Sequence, residues 1–96
     1  MLSLDSTVVA AQDQVSADLG GDAAILSMRS GVYYGLDSVG ARIWNLIREP
    51  IKVIEIRNAI LNEYEVEPER CERELLTLLK QLEDEGLLRI VDKPSA

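Results

Sequence analysis

A chain of 96 residues that is 47% apolar, with one Trp, three Tyr and no Phe, can bury one core and not two. Seventeen acids against ten bases leave a formal charge of −7, which opposes the phosphate contacts behind most nucleic-acid affinity and disfavours anionic membranes. The absence of histidine excludes His-based metal sites and Ser-His or Cys-His dyads within the chain, and a lone Cys71 makes no internal disulfide.

"MLSLDST" has no positive n-region, and no apolar run approaches the roughly 20 residues of a membrane span. The expectation is a cytoplasmic protein of one domain, 1–96, with a tail at about 92–96.

The first 36 residues read as strands. "TVVAAQD" and "QVSADL" are β-compatible runs punctuated by Asp13, and Val8–Gln12 and Gln14–Leu19 form one bent strand or two. "AAILSM" follows the turn signal "GGD", and "VYYGL" (32–36) follows "RSG". Two glycine-bearing turns at hairpin spacing predict a three-stranded antiparallel meander. After Leu36 the apolar period lengthens from two to about 3.6. Asp37 caps a helix over Ser38–Ile47, whose buried face holds Val39, Ile43, Leu46 and Ile47 with Trp44 alongside. Pro50 suits the first turn of a second helix, Ile51 to Glu63, with Val53, Ile56, Ile60 and Tyr64 at helical spacing. Pro68 opens a third helix that runs to about Glu85, and Gly86 follows as a left-handed C′ residue. "LLRIV" (87–91) adds a short final strand. The fold class is α+β: a three-stranded antiparallel sheet packed on a three-helix, winged helix-turn-helix-like bundle.

On a wheel of the third helix, Cys71, Leu75, Leu78, Leu79 and Leu82 form a core stripe. Leu76 lies ~100° from Leu75, with Arg73 and Lys80 beyond it. It either packs on a neighbouring element or widens the stripe into the wall of a groove for an apolar peptide. The helix is net negative, so helix-turn-helix architecture here does not imply DNA binding. Glu83, Asp84 and Glu85 read as a solvated helix end rather than an acid–base or cation site. Cys71 reads as a small apolar group, and the glycines lack phosphate-loop spacing. No catalytic residue, metal site or cofactor is predicted.

"GVYYGLD" spends two of the three tyrosines on one strand. Alternation puts Val32, Tyr34 and Leu36 on one face and Tyr33 and Gly35 on the other. As the last strand of a meander, with no Lys or Pro to guard it, it can accept an extended peptide as an added strand. Replacing Val32 or Leu36 by Pro weakens such binding if that residue's N–H faces the guest.

"ILSMRSGVYYGLDSVGARIWNLI" (25–47), then Leu61, Tyr64 and Val66, then Leu78, Leu82, Gly86, Leu87 and Leu88, resembles the PqqD-like proteins called RiPP recognition elements. The resemblance spans about Val8 to Ile90, and "YY" with "GARIW" is most like the stand-alone members of lasso-peptide gene clusters. It implies a non-catalytic adaptor that binds the leader of a ribosomally made precursor peptide. It also implies presentation of that precursor to a leader protease and a cyclase, with no nucleic acid or membrane partner. By position it assigns leader binding to the strand Val32, Tyr33, Tyr34, Gly35 and Leu36, and to Leu75, Leu76 and Leu79 on the third helix. The wheel adds Arg73 and Lys80. Glu67 departs from the shorter cap usual there, which touches stability rather than binding. The alternatives are PqqD-type service to a radical enzyme and a winged-helix transcriptional regulator.

Overall fold

The computed structural model describes residues 2–12 and 14–91; the expected punctuation at Asp13 and the tail at 92–96 lie outside the described residues. Its elements are β1 Thr7–Ala10, β2 Gln14–Asp18, β3 Ala23–Ser27, β4 Tyr33–Leu36, α1 Ser38–Leu46, β5 Ile51–Lys52, α2 Val53–Glu63, α3 Pro68–Asp84 and β6 Leu88–Ile90. The strands form two antiparallel three-stranded sheets, β2-β3-β4 and β5-β1-β6.

The expected meander exists, but "TVVAAQD" is not part of it. Of the two alternatives for the opening segment, two strands hold, and they join different sheets. Val8 is fully buried and Val9 nearly so. A strand buried on both faces needs partners on both sides, which β5 and β6 supply: Val8 stands opposite both Ile51 and Ile90. Further main-chain bonds tie this strand to the helices, from Ala10 N–H to Ile47 O at 2.7 Å and from Ala11 N–H to Leu87 O at 2.9 Å.

The second helix starts two residues later than expected, because Ile51 and Lys52 pair with β1. Pro50 therefore precedes a strand rather than opening a helix. The first amides of α2 are satisfied by the N-terminal segment: Val53 N–H donates to Ser6 O at 2.9 Å and Ile54 N–H to Leu4 O at 3.1 Å. Such a cap, drawn from nearly fifty residues away, leaves no local mark in the sequence.

The other helix ends obey local rules. The Asp37 carboxylate accepts from Gly40 N–H at 2.9 Å. Pro68 occupies the first turn of α3, and Glu67 before it makes no side-chain cap. Gly86, at φ +75°, closes α3 in a Schellman turn: its N–H reaches Glu83 O at 3.0 Å and Leu87 N–H reaches Leu82 O at 2.8 Å. That turn delivers Leu87 and Leu88 into the core and sends β6 back along β1.

The core joins Val8, Ile25, Ile43, Trp44, Ile47, Val53, Ile56, Ile60, Leu75, Leu79, Leu82 and Leu87. Trp44 is 1% exposed, and its Nε1 has no partner among the described residues. Burying ~150–250 Å² of indole at ~25 cal/mol/Å² is worth ~4–6 kcal/mol, against ~1–3 kcal/mol for an unsatisfied donor. Packing wins, and Trp44 is a core residue.

On the surface, Arg42 clamps α1 to α2 through both Glu63 oxygens, at 2.8 and 2.9 Å. Both side chains are over a third exposed, so solvent screens the pair. The hydrogen bond from Arg42 holds the Glu63 carboxyl below its ordinary 4.5. This small contribution is present above pH 4.5 and fades as pH falls through the lowered value. Arg57 similarly joins α2 to Glu72 of α3 at 3.0 Å.

Gly40 sets the approach of β4 to α1. A Cβ there would stand 3.2 Å from Leu36 Cβ and 3.4 Å from Asp37 Oδ1. Alanine normally improves a helix by up to ~1 kcal/mol over glycine. At this site overpacking costs ~1–3 kcal/mol, so Gly40→Ala is expected to lower stability by about 1 kcal/mol net in urea denaturation. An unchanged or raised midpoint would show that the corner is looser than its geometry.

Candidate functional site

β4 pairs with β3 along one side and has no strand on the other among the described residues. In the register, Ile25 faces Tyr34, Leu26 faces Tyr33 and Ala24 faces Gly35. Ser27 N–H donates to Val32 O at 3.0 Å, which sets the phase of the ladder. Antiparallel pairs alternate between hydrogen-bonded and non-bonded, so Tyr34 and Leu36 direct their main-chain groups to β3, as does the Val32 carbonyl, while Val32 N–H donates to Ser30 Oγ within the turn at 3.4 Å. Tyr33 and Gly35 turn theirs outward, to the open edge. Proline at Val32 or Leu36 would therefore damage the hairpin rather than a guest's ladder, and the informative positions are Tyr33 and Gly35.

The side chains alternate as expected. Tyr34 and Leu36 are half-buried and pack against the core, whereas Tyr33 is 71% exposed on the outer face. Val32 precedes the strand proper and is exposed. The tight entry to β4 depends on Gly31, at φ +72°, whose N–H donates to Ser27 O at 2.8 Å.

Beside the open edge lies a groove against α3, formed by two adjoining cavities. One, of about 600 Å³, has walls of Leu36, Val39, Ile43, Val66, Leu75 and Leu78. The other, of about 540 Å³, runs between Tyr33–Leu36 and Leu78, Gln81, Leu82 and Glu85. Gly35, Leu36 and Leu78 line both. The floor is apolar and the rim acidic, with Glu65, Glu67, Glu74, Asp84 and Glu85 around the two cavities. Among the described residues Arg70 is the one base lining them, and it is paired with Glu74 at 2.8 Å. At the far end, the Tyr34 hydroxyl donates to Glu85 Oε2, fastening β4 to the end of α3.

The sequence-predicted residues divide between two surfaces. The strand residues Tyr33, Tyr34, Gly35 and Leu36 border the groove, and Leu75 lies in its wall. Leu79 is fully buried beneath. Leu76 and Lys80 instead line a separate cavity of about 570 Å³ with Leu2, on another side of α3. Lys80 pairs with Asp84 at 3.0 Å, and Arg73 stands exposed. The stripe has two shoulders, Leu76 at ~+100° and Leu78 at ~−60° from Leu75, and β4 lies against the Leu78 side. Leu78, Val39 and Val66 were missed as groove residues because only the tertiary fold chooses between the shoulders.

The arrangement offers main-chain pairing and apolar pockets rather than reactive groups. Burial raises the Cys71 thiol above its ordinary value, which disfavours the nucleophilic thiolate. The described residues contain no cluster of three or more His, Cys, Asp or Glu placed to hold a metal ion. No helix among them is long and apolar enough to cross a membrane.

Residues 22–88 match the family described as Coenzyme PQQ synthesis protein D (PqqD). The chain belongs to this family. Among solved structures, TbiB1 in complex with the TbiA(beta) leader peptide is 35% identical, with a TM-score of 0.79 over 88% of this chain and 99% of that one. Lasso peptide synthetase B1 complexed with the leader peptide, 23% identical, shares the fold with a TM-score of 0.74 over 85% of this chain and 96% of that one. No match was found among curated proteins.

The bond to Glu85 raises the Tyr34 hydroxyl above its ordinary 10.0. Its contribution is present below pH 10 and is lost as pH rises through the raised value, where two anions would face each other. Alkaline spectrophotometric titration is expected to show a high-pH tyrosine step that moves down in Glu85→Ala and vanishes in Tyr34→Phe. A step unmoved by Glu85→Ala would mean that the two groups do not meet in solution.

Proposed function

We propose that this protein is a non-catalytic adaptor that binds the leader of a ribosomally synthesised precursor peptide as an added strand on β4. It then presents the precursor to a leader protease and a cyclase of lasso-peptide maturation. The observation that carries this reading is the open edge of β4, with Tyr33 and Gly35 turned outward, beside an apolar groove. Support comes from the 35% identical TbiB1, solved with a leader peptide bound. Main-chain bonds to the edge supply affinity without regard to sequence, and the pockets against α3 select apolar side chains. The acidic rim favours a guest with basic residues flanking its apolar anchors.

Of the site residues expected from sequence, Tyr33, Tyr34, Gly35, Leu36 and Leu75 are assigned to the guest directly, with Leu78 added. Leu79 supports the wall from beneath. Leu76, Arg73 and Lys80 are left out, since they do not border the groove. A transcriptional regulator is disfavoured by the charge of −7. Nothing observed favours a radical-enzyme client over a lasso-peptide one.

The test is titration of a labelled leader peptide, taken from the precursor encoded beside this gene, by fluorescence anisotropy. Saturable binding in the micromolar range or tighter is expected. Tyr33→Pro removes an outward donor at an edge position that tolerates proline, and Leu78→Glu places a charge in the groove. Each is expected to weaken binding at least tenfold, ~1.4 kcal/mol, with the circular dichroism unchanged. Tyr34→Pro, which breaks the β3 ladder, is expected to unfold the hairpin. Wild-type affinity in both folded variants would move the site elsewhere, and duplex DNA binding at physiological salt would favour the regulator.

A further inference from the structure

The end of α3 and its C-cap are three consecutive acids, Glu83, Asp84 and Glu85, and the last turn carries no base. Carboxylates there face the negative pole of the helix dipole, so stability alone does not favour them at this end. Two of the three are given partners. Lys80 takes Asp84 at 3.0 Å, and Tyr34 reaches across from β4 to donate its hydroxyl to Glu85 Oε2. Among the described residues this is the one side-chain hydrogen bond between β4 and the end of α3. Burial does not demand it, because the contact is exposed and water serves an exposed hydroxyl as well. A local rule broken without gain in stability points to another use.

We propose that the Tyr34–Glu85 bond is a strut that sizes the cavity beside it, so that the guest side chain entering there is aliphatic and a large aromatic one is refused. The inference rests on the leader-binding reading above. Both ends of the strut are fixed on the main chain. Tyr34 pairs with the fully buried Ile25. The Glu85 N–H bonds to Gln81 O at 3.1 Å, one residue before the left-handed Gly86. Tyr34 and Glu85 both line the cavity of about 540 Å³, with Leu78 and Leu82 on its helix side. Because Tyr34 turns its main-chain groups to β3, an antiparallel guest meets it at a non-hydrogen-bonded position, where opposite Cα atoms stand only ~4.5 Å apart. The side chains of such a pair share one face, here the inner one. The guest residue opposite Tyr34 therefore enters the cavity alongside the phenol ring, and the ring decides the space left. Pinned to Glu85, the ring spans the gap from β4 to α3 and takes the room that a second aromatic ring needs. Released, it turns to another rotamer and gives that room up. Tyr34 is thereby a specificity-determining residue, and Glu85 a positioning residue that acts through it.

The experiment uses the full chain and a panel of labelled leader peptides in which each apolar residue of the encoded leader is replaced in turn by tryptophan. Fluorescence anisotropy gives the affinity of each. In the wild type, tryptophan at one position is expected to weaken binding roughly tenfold or more relative to the native leader. Tyr34→Phe and Glu85→Ala are each expected to shrink that loss to about threefold or less, with the losses at other positions and the melting temperature retained. Glu85→Gln keeps an acceptor for the hydroxyl and is expected to refuse tryptophan as the wild type does. The double variant is expected to match either single one, as partners in one interaction do. If one variant fails to fold, the other carries the test. An undiminished loss in a folded Tyr34→Phe or Glu85→Ala protein overturns the inference, as does a wild type that accepts tryptophan at every position. Uniformly weaker binding of all peptides by the variants, with discrimination intact, also overturns it and leaves the bond a structural role. Failure of the wild type to bind any leader sinks the reading beneath it instead.

Discussion

The groove exists because β4 is held beside α3 without being allowed to close on it. At one end the Asp37 cap turns the chain into α1, and Leu36 seats against Gly40, where no side chain intervenes. At the other end the Tyr34 hydroxyl reaches Glu85 just before α3 gives way to its Schellman turn. Between these two fixed points the strand has its own hairpin on one side and apolar side chains across a gap on the other. Remove either fixed point and the edge is free to tilt, which alters the width of the gap before it alters the stability of the core.

The rest of the chain makes those fixed points rigid. β1 lies at the centre of its own sheet and bonds to the end of α1, to β5 at the start of α2, and to β6 after α3. It thereby fixes the three helices relative to one another, and with them the position of α3 under the groove. The order α1-β5-α2-α3-β6 is that of a winged helix, with β1 running between β5 and β6. That architecture often presents its last helix to DNA. In this chain the helix is acidic, its inner stripe is core, and one shoulder of that stripe faces a strand edge.

Much of the fold was legible because it is written locally. The three helices follow from apolar period, and Asp37, Pro68 and Gly86 mark ends that the structure places within a residue or so. The β2–β3–β4 hairpins follow from glycine turns. What could not be read is what depends on distant partners. "TVVAAQD" has the composition of any strand, and nothing local says that it leaves the meander to sit between Ile51 and Ile90. The start of α2 is set by carbonyls of Leu4 and Ser6, with only the Lys52 N–H bonded locally, to Glu55 Oε1 at 3.2 Å. The groove was half legible: the strand edge followed from its place in the meander, but a helical wheel shows two shoulders and does not say which one the strand adjoins. The wheel leaves Leu76 open between wall and neighbouring packing, and the fold sets it beside Leu2 while Leu78 lines the groove.

The two alternations of β4 run in phase. Tyr33 and Gly35 have outward main-chain groups and outer-face side chains, while Tyr34 and Leu36 have inward ones of both kinds. On the proposed reading, evolution can then treat the odd and even positions as separate ledgers. A guest held by the peptide backbone at Tyr33 and Gly35 depends less on the Tyr33 side chain, which points to the outer face. A change of client is written at Leu36, Leu78 and their neighbours, where the pockets are. One strand of four residues thus lets affinity and choice of guest diverge independently.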